Sequence, residues 1–508
     1  MKQIKWIGAG MIACIMMYAC YEDKGNYDYL KLPETRIDVA GIQESYSISR
    51  FDNLSIRPKV YYKGELVNAD NPQFPELKFI WTAYQAGYDY PVVDGDTLAK
   101  QINLNLDVSL SEITWTFLFT VYNATTDVKE FAKFSVKVNA SLSEGWMVLY
   151  ERDGTTDVGL IVNEAIAPAV QRDRAVLDIY SASNTPMLGK PVAIQHAISG
   201  TPYEVFVVSD QDMSRVSPLT FQTTATYEDL FWAAPTVRRL QFFSAFSTRR
   251  ELLLNDNKIH IVSFMTMGSN RTSVFLSDPF LGSYGTLAPW AATSIASNYE
   301  GAFYDQTKKA FVFIASYGTE VTSFPDQSTE MAFDCNNVGK EFIMSDYGRN
   351  RYEYVVTKDN SNKYYLLLAN FIGDRDRIGV GQYPMDICPD ISKLTAVAAG
   401  YKGEIFYYST DNKVYQFDYM GNTVSDRWSA PAGETITAVV LQKFYYGELS
   451  NRPINDCEVI YIATYNESTK NGTVYQLWVD PSSGAIKKET EKSYTGFGKV
   501  KTMAWKRT

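Results

Sequence analysis

The sequence predicts an all-β protein: an immunoglobulin-like sandwich followed by a β-propeller of about seven blades. Three observations carry that reading. Residues 32–142 alternate apolar and polar side chains with a period of two, the pattern of strands with one buried and one wet face. From Gly145 onward, short apolar strands recur between polar turns and resemble one another, as expected when one supersecondary unit is stacked repeatedly. The chain of 508 residues also carries 36 Tyr and 27 Phe, residue types that fit pleated, half-buried surfaces.

In chain order, the first element is a leader. Lys2 and Lys5 give a positive start, and Ile7 to Tyr18 is an apolar run too short to span a bilayer. Ala19 is the small residue a signal peptidase needs beside its cut, although Tyr18 is bulkier than is usual there. Residues 1–19 therefore read as a lipoprotein signal peptide and Cys20 as the lipidated first residue of the mature chain. More than one acyl chain on that residue makes anchoring stable, since each buried methylene adds roughly 0.8 kcal/mol. Residues 20–31 are polar, acidic and aromatic without period and read as a tether. Glu22 and Asp23 resemble the acidic export signal that sends some lipoproteins to the outer face of the outer membrane.

Residues 32–142 form the sandwich. Ile102, Leu104, Leu106, Val108 and Leu110 alternate with polar neighbours, as do Phe134, Val136 and Val138, and Trp115, Phe117, Phe119 and Val121. Lys63-Gly64, Asp70-Asn71-Pro72 and Asp94-Gly95-Asp96 supply turns. About seven short strands in this span suggest an immunoglobulin-like sandwich, with Trp81 as its central core residue. No cysteine pair flanks Trp81, so the domain is not of the antibody type.

Residues 143–508 form the propeller. Val312–Gly318 matches Ile460–Asn466, and Lys413–Asp418 matches Thr473–Trp478, with Ile405–Ser409 preceding Lys413–Asp418 as Ile460–Asn466 precedes Thr473–Trp478. Units of roughly 40–50 residues over this length give about seven blades. Gly498 to Trp505 is expected to close the ring by completing the blade begun near Gly145, because ring closure removes open strand edges. Two stacked sandwiches are the rival architecture.

Composition excludes several functions. Net charge is −10, or −12 once Lys2 and Lys5 leave, and the pI is near 5.0, which argues against nucleic-acid binding. Beyond Cys14 and Cys20 only Cys335, Cys388 and Cys457 remain, an odd number without a CxxC spacing, so neither a disulfide scaffold nor a structural zinc site is expected. His196 and His260, the two histidines, both sit mid-strand and read as packed core. No GxSxG, HExxH or phosphate-binding loop occurs. Asp210 and Asp212 hint at a calcium loop, but Arg215 stands where its glycine belongs. Asp374 and Asp376 suit a solvated hairpin tip as well as a carboxylate pair. No catalytic residue, metal ligand or cofactor is expected. Aromatic residues in turn-rich segments are the candidate ligand contacts: Trp232, Tyr284, Trp290, Tyr347, Tyr445 and Tyr446.

Cys20-Tyr21-Glu22-Asp23-Lys24-Gly25-Asn26-Tyr27, the sandwich, and Gly145-Trp146-Met147-Val148-Leu149-Tyr150-Glu151-Arg152-Asp153 opening the repeats together resemble the PKD-like family lipoproteins. The resemblance implies an accessory surface lipoprotein of a TonB-dependent nutrient importer, beside a SusC-type barrel and a SusD-type lid lipoprotein. The implied cargo is an oligopeptide or a glycan, bound or presented without turnover. The alternatives are a propeller hydrolase, which needs convergent carboxylates of raised pKa in a central pocket, and an architectural subunit, which needs an apolar docking patch and no pocket.

Overall fold

The computed structural model describes residues 33–507, apart from 51, 88–95, 140–141, 143, 168–169, 171–172, 198–202, 247–249, 264–273, 277 and 444–453. Cys20, Tyr445 and Tyr446 lie outside the described residues. The chain forms two compact units. One holds residues up to Tyr46, Asn53–Leu106 and Thr114–Val136; the other holds Ser47–Asp52, Asp107–Ile113 and Lys137–Thr508.

The N-terminal region is all-β. Its main sheet runs Ser45–Ser49, Lys129–Asn139, Thr114–Asn123, Leu77–Gln85, Asp96–Ala99 in spatial order. Opposite it stand smaller sheets, Thr35–Asp38 with Lys59–Tyr62 and Glu65–Leu66, and Asn53–Ile56 with Leu104–Asp107. Period-two alternation is realised as burial: Phe134 and Val136 are inside while Lys133 and Lys137 are outside. The run from Gln101 to Leu110 keeps its alternation, with Ile102 and Val108 buried, although only Leu104–Asp107 is strand. Trp81 is fully buried. It stacks on Phe119 with centroids 4.5 Å apart, and its indole N–H donates to the Gln101 carbonyl at 2.9 Å, so the ring fills the core without leaving a polar orphan.

From Gly145 the described residues build a propeller of seven blades. Blades two to seven each begin at an innermost strand and meander outward: Pro191–Ala197, Leu240–Phe246, Leu287–Ala291, Glu341–Tyr347, Ala396–Ala399 and Thr435–Leu441 are those innermost strands. In blade one the innermost strand is the last of the chain. Lys499–Lys506 pairs antiparallel with Gly145–Arg152, so that Trp146 faces Trp505 in register. The ring is thereby closed by hydrogen bonds between the two ends of the repeat region, which cover the inner edge of Gly145–Arg152.

One internal match needs correction. Lys413–Asp418 and Asn471–Val479 are both third strands of their blades, in blades six and seven, so that likeness is in register. Ala310–Ala315 is a third strand, however, whereas Val459–Asn466 is a second strand. The two were aligned because second and third strands of a blade are both buried on both faces and carry the same apolar composition.

A true repeat lies at the second strands. Glu144, Glu204, Glu251, Glu300, Glu353, Glu404 and Glu458 stand within two residues of the start of the second strand in blades one to seven, about 50 residues apart. Each is followed by at least three buried residues. Most of these carboxylates fasten neighbouring segments. Glu300 accepts from Arg250 Nε of blade three at 2.9 Å. Glu353 accepts from Thr293 N and Ser294 N of blade four at 2.7 and 3.1 Å. Glu404 pairs with Arg349 of blade five at 3.1 Å and Glu458 with Lys402 of blade six at 2.7 Å. In four successive blades, then, the glutamate reaches back to the preceding blade.

Candidate functional site

The innermost strands converge on a cavity of about 210 Å3 in the channel. Its wall comes from their C-terminal ends: Ile194 to His196, Phe242 to Ala245, Trp290, Ser345 to Tyr347, Val440 to Leu441, and Thr502 to Trp505, with Lys443 just beyond. A strand presents successive side chains to opposite faces, so six innermost strands supply a wall in which aromatic, aliphatic and polar groups alternate. Trp146 contributes from the second strand of blade one and stacks on Tyr461 with centroids 4.7 Å apart.

Charge in this wall is spent internally. Lys443, whose side chain is 2% exposed, donates from Nζ to Asp346 Oδ2 at 2.6 Å, to the Tyr347 carbonyl at 2.6 Å and to the Ala399 carbonyl at 2.7 Å. It also lies 4.1 Å from the Tyr347 ring centroid, so all three ammonium protons and its charge have partners. Asp346 accepts in addition from Ala399 N at 2.8 Å and from Tyr347 N at 3.0 Å. Together these bonds tie blades five, six and seven. Glu353 is buried in the wall, and that burial pushes its carboxyl up to about 7, against the pull of its bonds from Ser294 and Thr293. Gln195 donates to Ser244 Oγ at 3.4 Å and accepts from the Ala245 N–H. His196 Nδ1 accepts from Arg507 N at 3.0 Å, which leaves the ring proton on Nε2 in the neutral form.

Of the aromatic residues singled out in the sequence, Trp290 and Tyr347 meet at this cavity. Trp290 was expected in a loop because of Pro289 and nearby glycines; it lies in the strand Leu287–Ala291 and is 6% exposed. Pro289 is tolerated there because the innermost strand has a free side facing the channel. Trp232 is elsewhere and 81% exposed. Tyr284 is half-buried against the apolar cluster around Leu252 and Phe303, and burial raises its pKa. Trp146, Trp505, Phe242, Asp346, Glu353 and Lys443 were not anticipated here. The signal that could have found most of them is positional: residues at the end of each innermost strand or at the start of each second strand, once the glutamate repeat sets the register.

The other titratable groups singled out in the sequence lie outside the cavity wall. His260 is buried and its pKa is lowered by that burial. Asp212 pairs with Arg238 at 3.1 Å. Asp374 and Asp376 are exposed in a turn. Cys335, Cys388 and Cys457 are free and buried. Among the described residues no group of three His, Cys, Asp or Glu side chains is placed to hold a metal ion, and no helix is long and apolar enough to cross a membrane.

Residues 20–191 match the PKD-like family. The PKD-like match begins at Cys20 and runs past the sandwich through the second and third strands of blade one, ending at the first residue of blade two. It therefore covers both sequence motifs that carried the resemblance. No curated protein matches the chain. Solved structures with similar architecture include a quinonprotein alcohol dehydrogenase-like protein of Bacteroides thetaiotaomicron, 13% identical over 94% of this chain and 100% of that one, with a TM-score of 0.39. The WD40 domain of SCAP from fission yeast is 8% identical over 60% of this chain and 74% of that one, with a TM-score of 0.36. PorZ, a surface component of the type-IX secretion system of Porphyromonas gingivalis, is 12% identical over 77% and 46%, with a TM-score of 0.33. At such values no function passes from these proteins to this chain.

Proposed function

We propose that this chain is a lipid-anchored surface protein of the outer membrane that binds or presents nutrient, an oligopeptide or a glycan, as an accessory subunit of a SusC/SusD-type importer, without turning it over. The observation that carries the binding role is the channel cavity, whose charged side chains are neutralised by one another and by backbone groups while its aromatic rings line the space. Such a wall suits recognition more than chemistry, since a nucleophile or general acid needs an uncommitted group facing the substrate. The family match beginning at Cys20 supports the lipid anchor. The net charge of −10 and the pI near 5.0 accord with a partner other than nucleic acid.

A hydrolase is the second reading, favoured by Glu353. Its carboxyl is pushed up to about 7 and it stands in the cavity wall with Asp346, the feature expected of a general acid. Against it, Glu353 Oε1 already accepts from Thr293 N, Thr293 Oγ1 and Ser294 N, and Asp346 is held by Lys443.

The test is a pull-down from detergent-solubilised outer membrane with the full lipoprotein as bait, followed by mass spectrometry of proteins and small molecules. Recovery of a barrel, its lid lipoprotein and bound peptides or sugars is expected. Recovery of the bait alone sinks the importer reading. Turnover of peptides or glycans by the isolated protein, lost in Glu353→Gln, would instead establish the hydrolase.

A further inference from the structure

We propose that the channel cavity takes one uncharged aromatic or branched apolar side chain of a peptide ligand. This deepens the binding role above and rests on it.

Size narrows the choice first. At about 210 Å3 the cavity exceeds the ~150 Å3 apolar cavity that accepts benzene, but falls below the ~300–1,000 Å3 of sites that enclose drug-sized molecules. One ring or one branched side chain fits, with the rest of the ligand outside.

The chemistry of the wall then separates a peptide side chain from a sugar ring. Val440, Leu441, Met503, Phe242, Trp290 and Trp505 present apolar surface. The polar side chains are mostly bonded already. Lys443 and Asp346 hold each other, Gln195 is engaged by Ser244 and Ala245, Thr293 is bonded to Glu353, and His196 Nδ1 takes the Arg507 amide. The hydroxyls of half-exposed Ser345 and Thr502 and the unbonded indole N–H of Trp146 remain on the wall. Two hydroxyls and one N–H can serve one peptide group at the cavity mouth. They cannot serve the several hydroxyls of a pyranose, each of which would lose water on entry without replacement. A charged side chain is disfavoured for the same reason: Lys443 and Asp346 are already paired and Glu353 is held by Thr293 and Ser294.

The experiment uses the full-length protein and two small probes, N-acetylphenylalanine amide and methyl glucoside, titrated by calorimetry and by tryptophan emission, since Trp290 and Trp505 line the site. The amide is expected to bind saturably in the millimolar range and to change the emission, while the glucoside gives no signal. Ser345→Trp, which projects a ring into the space from blade five, is expected to weaken the amide by at least ~10-fold. Thr502→Phe, from blade one, gives an independent block if the first variant fails to fold. Leu188→Ser, at a residue 63% exposed on the outer part of blade one, is expected to leave binding unchanged. Glucoside binding that these substitutions abolish, amide binding that they leave intact, or no amide binding at all each overturns the proposal. If the amide fails while the pull-down still yields an importer with cargo, the cavity assignment falls and the uptake role stands. If the amide binds as expected and the pull-down yields bait alone, the importer reading falls and the cavity assignment stands.

Discussion

The sandwich and the propeller bury their strands by different means. In the sandwich, two layers face each other across an apolar core centred on Trp81, and buried polar atoms are few; Asn123 and Tyr62 satisfy each other at 2.9 Å. The propeller must also close a ring, and there buried charge recurs: Glu204, Arg250, Glu251, Glu300, Glu353, Lys443 and Lys506 are all buried. A layered core is specified by shape and period. A ring of similar blades needs devices that set which blade meets which, and directional, charged contacts do that where apolar packing alone is degenerate. Arg250 with Glu300, Glu353 with Thr293 and Ser294, and Lys443 with Asp346 and Ala399 join different blades, whereas Glu204 pairs with Arg215 inside blade two.

Five changes test this contrast. The largest effect is expected from deleting 499–508. That removes the closing strand with buried Val500, Met503 and Trp505 and uncovers the inner edge of Gly145–Arg152. Calorimetry should show loss of the main cooperative unfolding transition; a transition retained within a few degrees would mean the ring does not depend on closure. Next, Arg250→Ala strands Glu300 in a pair whose side chains are 0% and 5% exposed, and should cost about 3–5 kcal/mol in denaturant unfolding. The double replacement of Arg250 and Glu300 by apolar residues should recover most of that loss.

On the sandwich side, Trp81→Phe removes the donor to Gln101 and shrinks the core ring, for an expected ~1–3 kcal/mol. Its cost should not depend on pH, which distinguishes it from the propeller's charged sites. Glu353→Gln probes that dependence. Burial raises the folded-state pKa of Glu353 from 4.5 to about 7. Between those values the folded protein keeps a proton that the unfolded chain has released, so Glu353 lowers stability as pH rises through that window. The glutamine variant should match the parent near pH 5 and exceed it by about 1–3 kcal/mol near pH 8; equal gains at both pH values would refute the assignment. Smallest of all, Glu404→Gln breaks the exposed pair with Arg349, whose side chains are 42% and 45% exposed. Less than about 1 kcal/mol is expected, and less still in high salt.

Much of this architecture was legible in the sequence, for local reasons. Alternation at Phe134 and Val136 is a property of a strand and its two faces, so it shows in the chain without knowing the partner strand. The closing strand was legible because Gly498 to Trp505 stood as a lone strand after the last repeat. The internal alignment of Val312 with Ile460 failed because two buried strands of different rank in a blade read alike. The glutamate repeat, which sets rank correctly, is hidden in the sequence because a single charged residue every 50 or so positions is diluted among 58 acidic residues.

The candidate site was legible only in part, for the opposite reason. The sequence by itself determined strands, turns, the ring and its closure, because each depends on neighbours within a blade or on one long-range pairing. The tertiary structure decided that Trp290 and Tyr347 share a wall while Trp232 and Tyr284 do not, and that Lys443 spends its charge on Asp346. Those outcomes depend on where strands from six different blades end around a common axis, a through-space condition with no counterpart in local pattern.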